Sequence, residues 1–173
     1  MSLSPAEAPT VPIPDPAIPL PQQPDEMLLA MCIFGEARGE HDDAKLAVGN
    51  VVRNRVLAGR YGKDWRGVIL RPMQFSCFNT NDPNSKKVVE PLKYGKQETW
   101  ETCYRIASWI LNGTAKDNTQ RSTHYFDKSL DANPPYWSYG FIPTVTIGGL
   151  RFYRDPMAFR YQNDIEAELF GEV

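Results

Sequence analysis

The run from Met27 to Phe34, MLLAMCIF, is apolar at every position, and it constrains the fold more than any other stretch. A helix built from it has no polar stripe for water, so it has to be covered on most sides by one core. The chain then continues as GEARGE, residues 35–40. Gly35 leaves room for close approach, and Glu36 follows at the mouth of the buried region. A carboxylate there loses hydration, which raises its pKa and lets it hold a proton near neutral pH. A general acid requires that property. The competing reading is structural: Glu36 pairs with Arg38, Arg53 or Arg55 and merely closes a helix end.

The chain has 173 residues, 42 % of them hydrophobic, which suits one soluble domain with a sizeable core. No membrane span is visible. Its formal charge of −2 comes from Glu7 and Asp15, the only charges before Asp25. A neutral remainder argues against nucleic-acid binding, which needs a cationic field. Cys32, Cys77 and Cys103 are odd in number and widely spaced, so free buried thiols are expected rather than disulfides or a zinc ribbon. With only His41 and His124 as imidazoles, no metal and no cofactor is expected. The amino terminus shows no basic and apolar leader, so a chain acting outside the cell needs another way out, or a leader lies outside this sequence.

Residues 1–24 hold eight of the fifteen prolines and read as an extended tail or linker ahead of a domain at 25–173. Asp25 is a plausible N-cap for the first helix. A second helix is predicted from Asp42 or Asp43 to Leu57, with Ala44, Ala47, Val48, Val51 and Val52 on one face and Gly59 stopping it. Gly49 inside it implies a close helix crossing. Asn54 lies at the edge of the stripe, where it reaches either a buried neighbour or a ligand. Trp65 to Leu70 suggests a short helical turn, residues 79–94 an exposed loop, and Lys96 to Leu111 a third helix closed by Gly113. From Arg121 the pattern turns to short strands, RSTHYF and TVTIGGLRFY, with Gly148-Gly149 marking a hairpin. The C-terminal stretch reads as loop with a helix from Asp164.

GEARGE at 35–40, AVGNVVRNRV at 47–56, MQFS at 73–76, IASWILNGT at 106–114, THYF at 123–126 and IGGLRFY at 147–153 occur in this order. Together they resemble the SleB/CwlJ-type cell-wall hydrolases, the spore-cortex-lytic and phage-lysin group, over about residues 25–153. The resemblance implies an α+β catalytic domain, helix-rich and lysozyme-like, with a small antiparallel sheet. It also implies Glu36 as catalytic acid and peptidoglycan glycan strands as substrate. This chain departs from the group near the final FY, where Leu150 and Arg151 stand in place of a frequent histidine.

Ordinary glycoside hydrolysis takes two carboxylates, and only Glu36 stands out. Glu40, Asp42 and Asp43 are explained by an acid-rich helix start. One acid suffices for a lytic transglycosylase, in which the muramic acid C6 hydroxyl is the nucleophile; a hydrolytic muramidase or glucosaminidase is the alternative, and a noncatalytic peptidoglycan-binding module is the rival of another class. Gln74, Phe75, Ser76, Asn54, His124, Tyr125 and Tyr153 are the candidate substrate-binding residues. The enzyme is expected to act at the bacterial wall as a monomer.

Overall fold

A computed structural model describes residues 11–159. The buried run forms α1 (Asp25–Ala37), and every residue from Leu28 to Phe34 is fully buried. It packs against α2 (Asp42–Ala58), α3 (Trp65–Ile69), α4 (Ser85–Val89) and α6 (Gln97–Leu111), while α5 (Pro91–Tyr94) joins the last two. The absence of a polar stripe therefore has its expected cause. Pro24 takes the N-cap position and Asp25 is the first helical residue, so the helix starts one residue earlier than the sequence suggested. Gly59 ends α2 with φ 73°, a left-handed conformation that favours glycine. Gly49 supplies the close crossing: a Cβ there would collide with Ile110 of α6 and crowd Ile33 of α1.

Residues 79–94 depart from the exposed loop expected of their composition, since α4 and α5 lie within them and Val88 is buried. Two apolar valines among lysines are enough for one helical turn to cap the end of α1.

The strands are β1 (His124–Asp127), β2 (Ile142–Ile147) and β3 (Leu150–Arg154), antiparallel in the order β1-β3-β2. Gly148, with φ 57°, turns the β2–β3 hairpin where the diglycine predicted it. Tertiary packing adds a clamp that the pattern does not reveal. Glu40 Oε2 accepts a hydrogen bond from the Gly149 N–H at 3.2 Å, and a Cβ on Gly148 would sit 2.6 Å from that carboxylate. The inner sheet face, Leu150 and Phe152, lies on Ala44, Ala47, Val48 and Val51 of α2.

Residues 11–24 do not hang free as a spacer would. Trp100 Nε1 donates to the Pro12 carbonyl at 2.9 Å, Val11 and Leu20 pack on the main core, and the buried Gln23 side chain donates to the Asp15 and Ile18 carbonyls. Proline's missing N–H leaves carbonyls to be satisfied from outside, and a core tryptophan supplies one donor. The helix expected from Asp164 lies outside the described residues. Among the described residues no helix is long and apolar enough to cross a membrane.

Candidate active site

Glu36 stands on the last turn of α1, and Gly35 before it is the reason another segment can come so close. A Cβ at position 35 would meet Cys77 Cβ and Sγ at 2.7 Å and Val88 Cγ1 at 2.8 Å. Both ends of the 77–88 segment therefore touch the backbone beside Glu36. Its middle is held as well: Arg38 donates to the Gly35 carbonyl at 3.4 Å and to Asn84 Oδ1 at 3.0 Å. From the opposite side the Tyr125 hydroxyl, on β1, donates to Glu36 Oε2 at 3.0 Å.

The ion-pair reading fails on these contacts. Arg38 is engaged as above, Arg53 donates to the Ala115 carbonyl, and Arg55 donates to the Thr123 carbonyl at 2.6 Å and to Gln74 Oε1 at 2.9 Å. Among the described residues no ion pair includes Glu36, and its Oε1 is enclosed without a hydrogen-bond partner. Burial is the largest influence on this carboxyl and raises its pKa; Tyr125 and Cys77 pull it back, and the charge of Asp82 adds to the rise. Desolvation wins because the donors around the carboxyl carry no full positive charge. The Cys77 thiol is itself pushed far up by burial and by Glu36, so it stays protonated and acts as a neutral neighbour.

The Tyr125 bond favours the ionised form of Glu36. Tyr125→Phe is therefore expected to move the Glu36 pKa further up, read as a higher midpoint in a carbon-13 titration of the Glu36 carboxyl. An unmoved or lower midpoint would show that the hydroxyl is not an effective donor to the carboxylate.

The remaining sequence-predicted residues separate. Asn54 is 2 % exposed, and its amide donates to Asp117 Oδ2, Thr119 Oγ1 and the Ser122 carbonyl. It pins the loop after α6 and has no access to a substrate. Phe75 is 3 % exposed beneath the Arg55 guanidinium, 5.0 Å from ring centre to cation, so it belongs to the core rather than to a substrate surface. Gln74 holds Arg55 in place, while Ser76 is exposed. His124 and Tyr153 are cross-strand partners on the outer face, since side chains alternate along β1 and Tyr125 points the other way. His124 contacts Tyr61, Trp137 and Phe141, and burial followed by the Arg55 charge pushes its pKa down to about 4. It is neutral at any pH near 7.

None of the sequence candidates for a second carboxylate faces Glu36. Glu40 is the hairpin clamp, and Asp42 and Asp43 line a separate groove of about 590 Å³ with Leu46, Trp109 and Asn112. Cys77 and Asp82, which do influence Glu36, were legible only as a thiol after MQFS and as part of a polar loop.

The sequence profile of the Cell Wall Hydrolase family matches residues 39–153. This chain belongs to that family. The matched span begins three residues after Glu36, so the site straddles its edge. Among curated family relatives, the spore cortex-lytic enzyme of Halalkalibacterium halodurans is 29 % identical over 114 residues, covering 66 % of this chain and 30 % of the relative. That of Bacillus subtilis is 24 % identical over 113 residues, covering 65 % and 32 %. The chain thus spans about a third of the length of these relatives. Two solved structures share the fold. The catalytic domain of the germination-specific lytic transglycosylase SleB from Bacillus anthracis matches with TM-score 0.59 at 22 % identity, over 82 % of this chain and all of that one. The catalytic domain of the Bacillus cereus SleB protein matches with TM-score 0.54 at 25 % identity, over 82 % and 95 %. The family fold is the helix-rich α+β domain with a small antiparallel sheet that the motifs implied.

Proposed function

We propose that this chain is a lytic transglycosylase that cuts peptidoglycan glycan strands between N-acetylmuramic acid and N-acetylglucosamine, with Glu36 as both acid and base. The observation that carries the reading is the Glu36 carboxyl itself: largely enclosed, in no ion pair among the described residues, inclined by burial to keep its proton, and with Oε1 unpartnered. Such an oxygen in a buried site calls for a partner, and a glycosidic oxygen accepting the proton provides one. The proton passes from Glu36 to the leaving oxygen, the bond to C1 breaks, and the resulting carboxylate takes the proton of the muramic acid C6 hydroxyl as that oxygen closes on C1. Tyr125 steadies the carboxylate between the two transfers. Acid–base assistance of this type contributes about 10²- to 10⁴-fold, and positioning supplies the rest.

The relatives' names, spore cortex-lytic enzyme and germination-specific lytic transglycosylase, agree with this chemistry. The wall is then the place of action, and Met73 and Ser76 are the exposed members of the MQFS motif, with Ser76 the one that offers a glycan a hydroxyl. Mass spectrometry of muropeptides released from purified sacculi tests the reaction: 1,6-anhydro ends are expected. Reducing ends in their place would make the enzyme a hydrolase.

A further inference from the structure

A cation is buried on α2 without an anion to match it. Arg55 is 5 % exposed and, among the described residues, in no ion pair. Burial holds its pKa below the usual guanidinium value, yet a guanidinium stays protonated in a protein. Taking a full charge out of water without a counter-ion costs stability, and an apolar side chain would fill this face of α2 without that cost. The contacts that Arg55 makes are directional. Nε donates to the Thr123 carbonyl at 2.6 Å, Nη1 donates to Gln74 Oε1 at 2.9 Å, and the Phe75 and Tyr61 ring centres lie 5.0 and 5.5 Å from the guanidinium carbon. A rigid planar fork meets two acceptors and two rings at once, which the single ammonium of a lysine does not.

Each arm of the fork ends on a different wall of the Glu36 site. Thr123 leads into β1, an edge strand of the sheet, and Tyr125 two residues on carries the hydroxyl that donates to Glu36 Oε2. Gln74 and Phe75 lead into Cys77, whose Cβ and Sγ lie against Gly35. We infer that Arg55 is a positioning residue of this enzyme: its guanidinium ties the strand that carries Tyr125 to the stretch that carries Cys77, and so sets both walls against the Glu36 carboxyl. This deepens the transglycosylase reading and rests on it. Arg55 takes no part in the proton transfers. It acts through Tyr125, whose bond favours the ionised form of Glu36, and through the closeness of Cys77.

A pH signature follows. The titratable and charged groups around Glu36 are Tyr125 from β1, Cys77 and Asp82 from the crossing segment, Cys32 and Arg38 from the end of α1, and Arg55 from α2. Arg55→Lys leaves every one of these charges in place, so a change in the Glu36 pKa in that variant reports geometry. A slackened β1 weakens the Tyr125 bond, the ionised form loses support, and the Glu36 pKa rises.

The test uses the full chain on purified sacculi. Arg55→Lys keeps the charge and loses the fork. It is expected to lower kcat about 100-fold, the scale of a misplaced catalytic group, to leave co-sedimentation with sacculi unchanged, and to move the alkaline limb of kcat/KM to higher pH. In a Tyr125→Phe background, where that bond is already gone, Arg55→Lys is expected to move the limb less than it does alone. Gln74→Leu leaves Arg55 and its strand arm intact, removes the other arm, and is expected to lower kcat about tenfold. Wild-type kcat in Gln74→Leu, or an unmoved limb in folded Arg55→Lys, would overturn the assignment and, beside an inactive Glu36→Gln, leave the transglycosylase reading standing. Fully additive limb shifts in the double variant would overturn it too, because Arg55 would then not act through Tyr125. Should Arg55→Lys fail to fold, Gln74→Leu decides alone. Turnover in Glu36→Gln itself would remove both readings.

Discussion

Glu36→Gln is expected to abolish clearing of peptidoglycan while the variant still folds and still sediments with sacculi. Glutamine fills the same space and can receive the Tyr125 hydroxyl, now 3.0 Å from Oε2, so packing around the end of α1 has no reason to change. What disappears is the transferable proton. Because one carboxyl is asked to give a proton and take one back, both halves of the reaction are lost together, a loss of at least about 10²- to 10⁴-fold by the usual worth of acid–base assistance. The same variant is expected to match or exceed the wild type in melting temperature at neutral pH. The folded-state pKa of Glu36 is raised by burial, so ionisation above its unfolded value works against the fold, and that cost grows as pH rises towards the folded value. Glutamine has no such charge. Dye-labelled sacculi and a thermal melt check both halves, and near-normal clearing would remove Glu36 from the chemistry.

Trp100→Ala is expected to be the most damaging core change. Trp100 is fully buried in α6, meets the Phe34 ring edge-on at 5.9 Å, and donates its indole N–H to the Pro12 carbonyl. Truncation removes a large apolar volume from a core whose neighbours cannot collapse far, at a cost of about 3–5 kcal/mol. For a chain of this size the melting temperature falls by about 10 °C. The loss also frees residues 11–14, which become cleavable by a protease under conditions where the wild type is resistant. A melting point within a degree or two of wild type would show that the proline-rich stretch and α6 are not coupled through this ring.

Much of the core was legible because helical spacing reports burial directly. Met27–Phe34 has no polar position, so its helix had to be central, and Gly49 had to lie at a crossing. The hairpin at Gly148-Gly149 was legible because few other residues turn there. The anchor roles were not. Asn54 and Phe75 sit in the motifs beside residues of the site, yet both are buried, one fastening the loop after α6 and the other supporting Arg55. His124 and Tyr153 were grouped with Tyr125 as rings able to rim a sugar site, and strand alternation put them on the far face of the sheet. Arg38, Arg53 and Arg55 each had the charge to neutralise Glu36, and each is engaged elsewhere.

What the sequence determined by itself is the central helix, its carboxylate at the boundary of the core, and the family to which these motifs belong. These follow from local periodicity and from residues close together along the chain. Tertiary structure decided which charges reach that carboxylate. Arg55 turns to Thr123, 68 residues on, Tyr125 arrives from 89 residues away, and the segment from Cys77 to Val88 folds back over Gly35. Electrostatic environment depends on distance through space, and a pattern of residues along a chain carries no measure of it until the packing has closed.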